Sequence, residues 1–148
     1  MSNLPTEHPH LVPHLVVPDA RAAIAFYVEA LGATEVYRLV APDGRIGHAE
    51  LDVGTGRLML ADPYPEYGAN PPDPATPSAI GLTLYVADVD ATTTTAAALG
   101  ATVLSAPADQ FYGDRIARIR DPSGHAWTLH TRKELVSPDE LQRRFDAM

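Results

Sequence analysis

Polar and apolar positions alternate with two different periods along this chain, and the two periods take turns. Val12 to Val17 is a short β-branched run that reads as a strand. From about Ala20 to Leu31 the period lengthens. Ala23, Phe26, Tyr27, Ala30 and Leu31 fall on one stripe at helical spacing. Asp19 stands where a helix needs an N-cap, and Gly32 ends the stripe. The period then drops to two. In Gly47 to Val53, Ala49, Leu51 and Val53 share one face, and His48, Glu50 and Asp52 share the other. The turn Gly54-Thr55-Gly56 leads into a last strand, Arg57 to Asp62.

The same order recurs. Leu31-Gly32-Ala33-Thr34 returns as Leu99-Gly100-Ala101-Thr102, and Leu15 to Asp19 is echoed by Leu84 to Asp88. Asp43-Gly44-Arg45-Ile46 is echoed by Gly113-Asp114-Arg115-Ile116, which reads as a turn. Ala117 and Ile119 oppose Arg118 and Arg120, and Asp121-Pro122-Ser123-Gly124 precedes a final strand, His125 to His130. Each copy therefore reads strand, helix, strand, strand, strand. The second helix, capped by Asp88 or Asp90 and ended by Gly100, contains Thr92 to Thr95, four β-branched residues that disfavour a helix. Its place in the repeat is the argument for it. The expected organisation is one domain, 1–148. Module 1 spans about 11–62, a linker 63–78, module 2 about 79–131 and a C-terminal helix 137–147. Ser137 serves as cap of that helix, Pro138 as its first residue and Glu140 closes a capping box.

Composition narrows the function classes. The net charge of −8 leaves no basic excess to neutralise phosphates, so nucleic acid is not an expected partner. No apolar run approaches the roughly 20 residues of a membrane span, and Met1 to Leu11 lacks the form of a signal peptide, so a cytoplasmic location is expected. The absence of cysteine removes disulfides, thiolate metal sites and cysteine nucleophiles. Gly54-x-Gly56 precedes no helix and is a hairpin turn, not a phosphate loop. Much of the proline lies between Pro63 and Pro77. That stretch reads as a stiff connection, although its Tyr64 and Tyr67 also fit a lid.

Four stretches together carry a family resemblance. They are Pro18-Asp19 with Ala23-Ile24-Ala25-Phe26-Tyr27, the paired Leu-Gly-Ala, Tyr85 to Asp90, and Asp121 to Trp127. From about Leu11 to Thr131 the chain resembles the vicinal oxygen chelate superfamily, which includes glyoxalase I, extradiol dioxygenases and the fosfomycin- and bleomycin-resistance proteins. The resemblance implies an α+β fold of two tandem βαβββ modules whose curled mixed sheets form a cup, in a chain that pairs as a homodimer. It also implies a divalent metal held by His or Glu on the first and last strands of each module. Here those positions fall on Val12, Leu60, Gly81 and Thr128, none of them an ordinary ligand. The expectation is a branch without the usual metal site and without a cofactor, like the antibiotic-sequestering relatives. Moving the template two residues brings His14 and Thr83 to the first-strand positions and Asp62 and His130 to the last, and His14, Asp62 and His130 then stand as a displaced metal set.

The expected ligand pocket is lined by His14, His48, Glu50, Asp62, Thr83, Tyr85, Tyr112, Arg118, Arg120, Thr128 and His130. His48 and Glu50, two apart on one face, fit general acid–base chemistry, and equally fit a structural ion pair with Arg118 or Arg120. His14 is either a pocket residue or a hydrogen-bonded core histidine. Tyr112 fits the pocket mouth, Trp127 the core, His125 a strand start, and His8 and His10 a polar tail. The functional expectation is a binding protein for a small organic molecule. The competing readings are an isomerase, lyase or dioxygenase-like enzyme of the same superfamily, and a dimeric interaction module without a ligand.

Overall fold

The computed structural model describes residues 2–148, so Met1, at the head of the N-terminal tail, lies outside the described residues. Among these residues the fold is α+β, with two mixed four-stranded sheets and three α-helices. The chain divides into two compact units. One runs to Pro77 and includes Pro122–Gly124; the other holds Ser78–Asp121 and His125–Met148.

In the first unit β1 (His14–Val16) is followed by α1 (Ala20–Leu31), β2 (Thr34–Val40), β3 (Ile46–Val53) and β4 (Gly56–Ala61). The strand order is β1-β4-β3-β2. β1 lies parallel to β4 because a helix connects it into the sheet, and the other pairs are antiparallel hairpin neighbours. The first strand is shorter than the β-branched run suggests, because Pro13 has no amide to give to the ladder; its carbonyl still accepts from Met59. Asp19 caps α1 by accepting from the Ala22 amide at 3.1 Å, and Gly32 closes it at φ 69°. The stripe Ala23, Ile24, Phe26, Tyr27, Ala30 and Leu31 is buried with Leu15, Ala49, Leu51, Leu58 and Leu60 of the sheet.

The connection from Pro63 to Pro77 is pinned at its start. Tyr64 bridges to Ala69, Pro65–Tyr67 forms one 3-10 turn, and the Arg45 guanidinium sits 3.9 Å over the Tyr64 ring while pairing with Glu66. Tyr64 is thus fixed by Arg45 from β3's approach, and Tyr67 is exposed.

The second unit repeats the order with β5 (Gly81–Tyr85), α2 (Val89–Ala98), β6 (Thr102–Asp109), β7 (Asp114–Arg120) and β8 (Ala126–Arg132), arranged β5-β8-β7-β6. Asp88 caps α2 through the Ala91 amide. The threonine run is accommodated by back-bonding: Thr93 donates to the Val89 carbonyl at 2.6 Å and Thr94 to that of Asp90 at 3.0 Å. This removes the usual competition between a hydroxyl and the helix backbone, and it buries Thr93 with Val89 and Ala96. β6 is an edge strand, which is why it tolerates Pro107 and an irregular register between Ser105 and Ala108.

α3 (Pro138–Asp146) starts as its sequence predicts, with Ser137 accepting from the Glu140 amide. The segment before it is tied to the loop ahead of β7. Lys133 and Glu134 both donate backbone amides to the Gly113 carbonyl, and Arg144 joins the Phe111 carbonyl to the Glu134 carboxylate. Gly113 is required here. Its φ is +96°, and a Cβ would stand 2.5 Å from the Glu134 carbonyl oxygen.

Candidate functional site

The two copies are registered by a shared structural device. Asp62 accepts from the Ala20 amide at 2.7 Å and from the Ile46 amide at 2.6 Å, tying the start of α1 to the sheet. Thr131 does the corresponding work, accepting from the Val89 amide at 2.8 Å and donating to the Val86 carbonyl. Asp62 therefore matches Thr131, Met59 matches Thr128, and His14 matches Thr83.

This registration corrects the expected role of Asp62. It lies on the helix side of β4, opposite in sense to Met59, whose strand partner is His14. Both its carboxylate oxygens are taken by backbone amides. It joins neither the polar face nor a metal set with His14. Leu60 is corrected likewise. It is fully buried in the helix-facing core, and Met59 is the true counterpart of Thr128. The slip has a plain cause. The β3–β4 hairpin is tight, whereas β7 and β8 are joined through Asp121–His125, so counting from a turn glycine loses register.

On the first sheet's other face, His14, Met59, Glu50 and Tyr37 form one row across the strands. Glu50 is 6% exposed and accepts from Tyr37 Oη at 2.5 Å, His48 Nε2 at 2.8 Å and Arg57 Nη1 at 2.5 Å. Its cation is Arg57, a neighbour on its own sheet, in the place where Arg118 or Arg120 was expected. Arg57 also reaches Asp52 at 2.9 Å. The Tyr37 hydroxyl, then His48 and Arg57, hold the Glu50 carboxyl down to about 2 against the opposing effect of burial. The same bond to Glu50 raises the Tyr37 phenol. Burial, and then the neighbouring His48, keep His14 below the usual histidine value, and the two rings stack at 6.1 Å. A carboxylate held so low and already accepting from three donors is a poor base near neutral pH. Glu50 organises this face.

The second sheet differs at each matching place. Strand register puts Gly81, Ala126 and Arg120 in one row, Thr83, Thr128 and Arg118 in the next, and Tyr85, His130 and Ile116 in the third. Arg118 thus occupies the position of Glu50, and Arg120 that of Asp52. Gly81, Ala126, Thr83 and Thr128 form a floor of small side chains. Arg118 and Arg120 stand along one side of it, and among the described residues no carboxylate lies within ion-pairing distance of either. At the end of the floor His130 Nδ1 is 2.9 Å from Asp114 Oδ2. The Asp114 residue is 5% exposed. The Tyr85 ring lies 4.9 Å from His130 and is 54% exposed, and the Tyr112 ring lies 6.2 Å away. Burial, then Asp114 and Tyr85, push the Tyr112 phenol up.

Thr83, Tyr85, Arg118, Arg120, Thr128 and His130 are thus brought onto one face, with Tyr112 at its end. His14, His48 and Glu50 share a face of the other unit. Trp127 is buried, its indole N–H donating to Asp121 at 2.9 Å. Asp114, Tyr37 and Arg57 were missed. Asp114 was hidden inside an apparent turn, and only its position opposite Arg132, next to His130 on the neighbouring strand, reveals it. Among the described residues no group of three or more His, Cys, Asp or Glu stands where it can hold a metal ion. Val12, Met59, Gly81 and Thr128 offer no ordinary donor set, so the residues present do not fit the implied metal. No helix among the described residues is long and apolar enough to cross a membrane.

Residues 8–129 match the family described as the Glyoxalase/Bleomycin resistance protein/Dioxygenase superfamily. The chain is 44% identical over 139 residues to the uncharacterized protein Mb0911c of Mycobacterium bovis, covering 90% of both chains. It is similar in structure to TioX from Micromonospora sp. ML1, with 27% identity, a TM-score of 0.65, and coverage of 84% of this chain and 98% of that one. A glyoxalase/bleomycin resistance protein/dioxygenase family enzyme from Burkholderia phytofirmans PsJN shares the fold at 20% identity and a TM-score of 0.66, over 82% of this chain and 96% of that one.

Proposed function

The chain belongs to the glyoxalase/bleomycin resistance protein/dioxygenase superfamily, and from that premise we propose that it binds a small organic molecule on the polar face of its second sheet, without the family's metal centre. One fold in such a family serves many chemistries, so the reading rests on this chain's own side chains. The observation that carries it is the pair Arg118 and Arg120. Two guanidinium groups two residues apart on one strand repel each other, and neither has a carboxylate partner among the described residues. They border a floor of Gly81, Ala126, Thr83 and Thr128 that is low enough to admit a ligand and carries hydroxyls to orient it. The chain as a whole is acidic at −8, so this local positive strip supports selection of an anionic group.

The test is thermal unfolding of the full chain against a panel of organic acids and their neutral amides, with metal analysis of protein purified without chelator. A ligand at a hundred times its Kd stabilises by roughly 2.7 kcal/mol, a rise of several degrees in Tm. Acids that stabilise while amides do not support the reading. Stoichiometric zinc, nickel, manganese or iron, lost together with ligand binding on chelation, overturns it.

A further inference from the structure

We infer that His130, positioned by Asp114, is the proton acceptor for a hydroxyl of a planar organic acid whose carboxylate is held by Arg118 and Arg120. This rests on the second sheet being the ligand-binding face and adds the ligand's class and a proton transfer to it.

The pairing of His130 with Asp114 fixes the tautomer. An ionised carboxylate only accepts, so Nδ1 carries the proton of the neutral ring and Nε2 keeps its lone pair. Asp114 is sunk into the sheet, and among the described residues the other charged group within reach is Arg132, at 3.9 Å on the other oxygen. The carboxylate therefore stabilises the imidazolium that forms when Nε2 takes a proton. The His130 side chain is 13% exposed, enough to be met by a ligand while most of the ring stays packed.

Geometry supplies the ligand class. Arg118 and His130 lie diagonally across the β7–β8 pair, since Arg118 faces Thr128 and His130 faces Ile116. The backbones of such diagonal neighbours stand roughly 7–8 Å apart, so a long arginine side chain on one and an imidazole on the other can take the two ends of a single aromatic ring carrying an acid at one end and a hydroxyl at the other. The exposed Tyr85 ring beside His130 offers a stacking surface for that ring. Thr128 stands opposite Arg118, and Thr83 continues that row onto β5. In the step, the ligand O–H bond breaks and its proton forms a bond to Nε2. The electron pair stays on the ligand oxygen, and the imidazolium formed beside it balances the new charge. No oxidant or further reactant is involved.

The experiment uses 4-hydroxybenzoate, whose phenol absorption moves to longer wavelength on ionisation, with benzoate and 4-hydroxybenzamide as controls. Binding is followed by calorimetry and the phenol by ultraviolet titration across pH, on the full chain. The acid is expected to bind and the amide to bind at least about tenfold more weakly, with R118A reducing the affinity of both acids by a similar factor. The bound phenol is expected to ionise at lower pH than the free one. D114N should give back about tenfold of that change in ionisation constant, and D114E should restore part of it. A circular-dichroism spectrum and a cooperative thermal melt show that D114N remains folded. Binding with an unshifted phenol titration overturns the role of His130 and leaves the binding face standing. Binding that is indifferent to R118A overturns the placement of the ligand. No binding of any of the three compounds overturns the ligand class, and the wider acid panel then decides the binding face separately.

Discussion

The two sheets began from one pattern and treat charge in opposite ways. On the first, Glu50 and Asp52 face Arg57, Tyr37 and His48, and each donor is satisfied inside the unit. On the second, the same strand positions hold Arg118 and Arg120, and the acid has moved one strand end away to Asp114, where it serves His130. A polar sheet face therefore does not by itself mark a binding site. Internal satisfaction is the difference: the first face spends its hydrogen bonds on itself, whereas among the described residues the second gives Arg118 and Arg120 no carboxylate partner.

The largest expected effect comes from breaking the first network. Arg57→Ala leaves the buried Glu50 carboxylate without its cation and should cost about 3–5 kcal/mol in urea unfolding. A loss below about 1 kcal/mol would show that Tyr37 and His48 suffice. Arg118→Ala should do the reverse. Stability should stay within about 0.5 kcal/mol, because no carboxylate partner is lost. Affinity for an organic acid should fall at least about tenfold, read by calorimetry.

Acid titration sharpens the contrast. Glu50 ionises well below the ordinary glutamate value of 4.5, at about 2. The folded state thus binds fewer protons than the unfolded chain between those values. Its contribution is fully present above 4.5 and is lost as pH falls towards about 2. Urea midpoints measured from pH 6 to pH 2 should fall, and Glu50→Gln should flatten that fall; an unchanged slope would place the acid sensitivity elsewhere. The smallest effect belongs to His14. Its value is depressed by burial, so the unfolded chain takes up the proton first and stability declines as pH drops below 6.5. His14→Gln should remove a fraction of that decline between pH 7 and pH 5, visible in the same midpoints.

Local signals were legible from the sequence. The α1 limits, Ala20–Leu31, follow from an aspartate, a stripe and a glycine, and Ser137-Pro138 announces α3 as plainly. The faces of β3 and β7 follow from alternation. What was not legible depends on register between strands. Asp62 sits at a strand end where one residue decides the face, and a difference in hairpin length between the copies displaced the count. Asp114 is sixteen positions from His130 in sequence and is joined to it only by the ladder. Tyr37 and Arg57 reach Glu50 in the same way. Pairings across a sheet carry no local periodicity, so a single chain does not display them.

The tie at Gly113 has a consequence for engineering the chain. The carbonyl that receives two amides from the C-terminal segment belongs to the residue just before Asp114. A tag, truncation or fusion introduced after Thr131 would pull on the loop beside the imidazole's partner, and even one added methyl group at Gly113 would push that loop off its anchor. Material from outside the repeat thus finishes the second copy. Recombining this repeat as a free-standing cassette would carry the sheet across and leave its fastening behind.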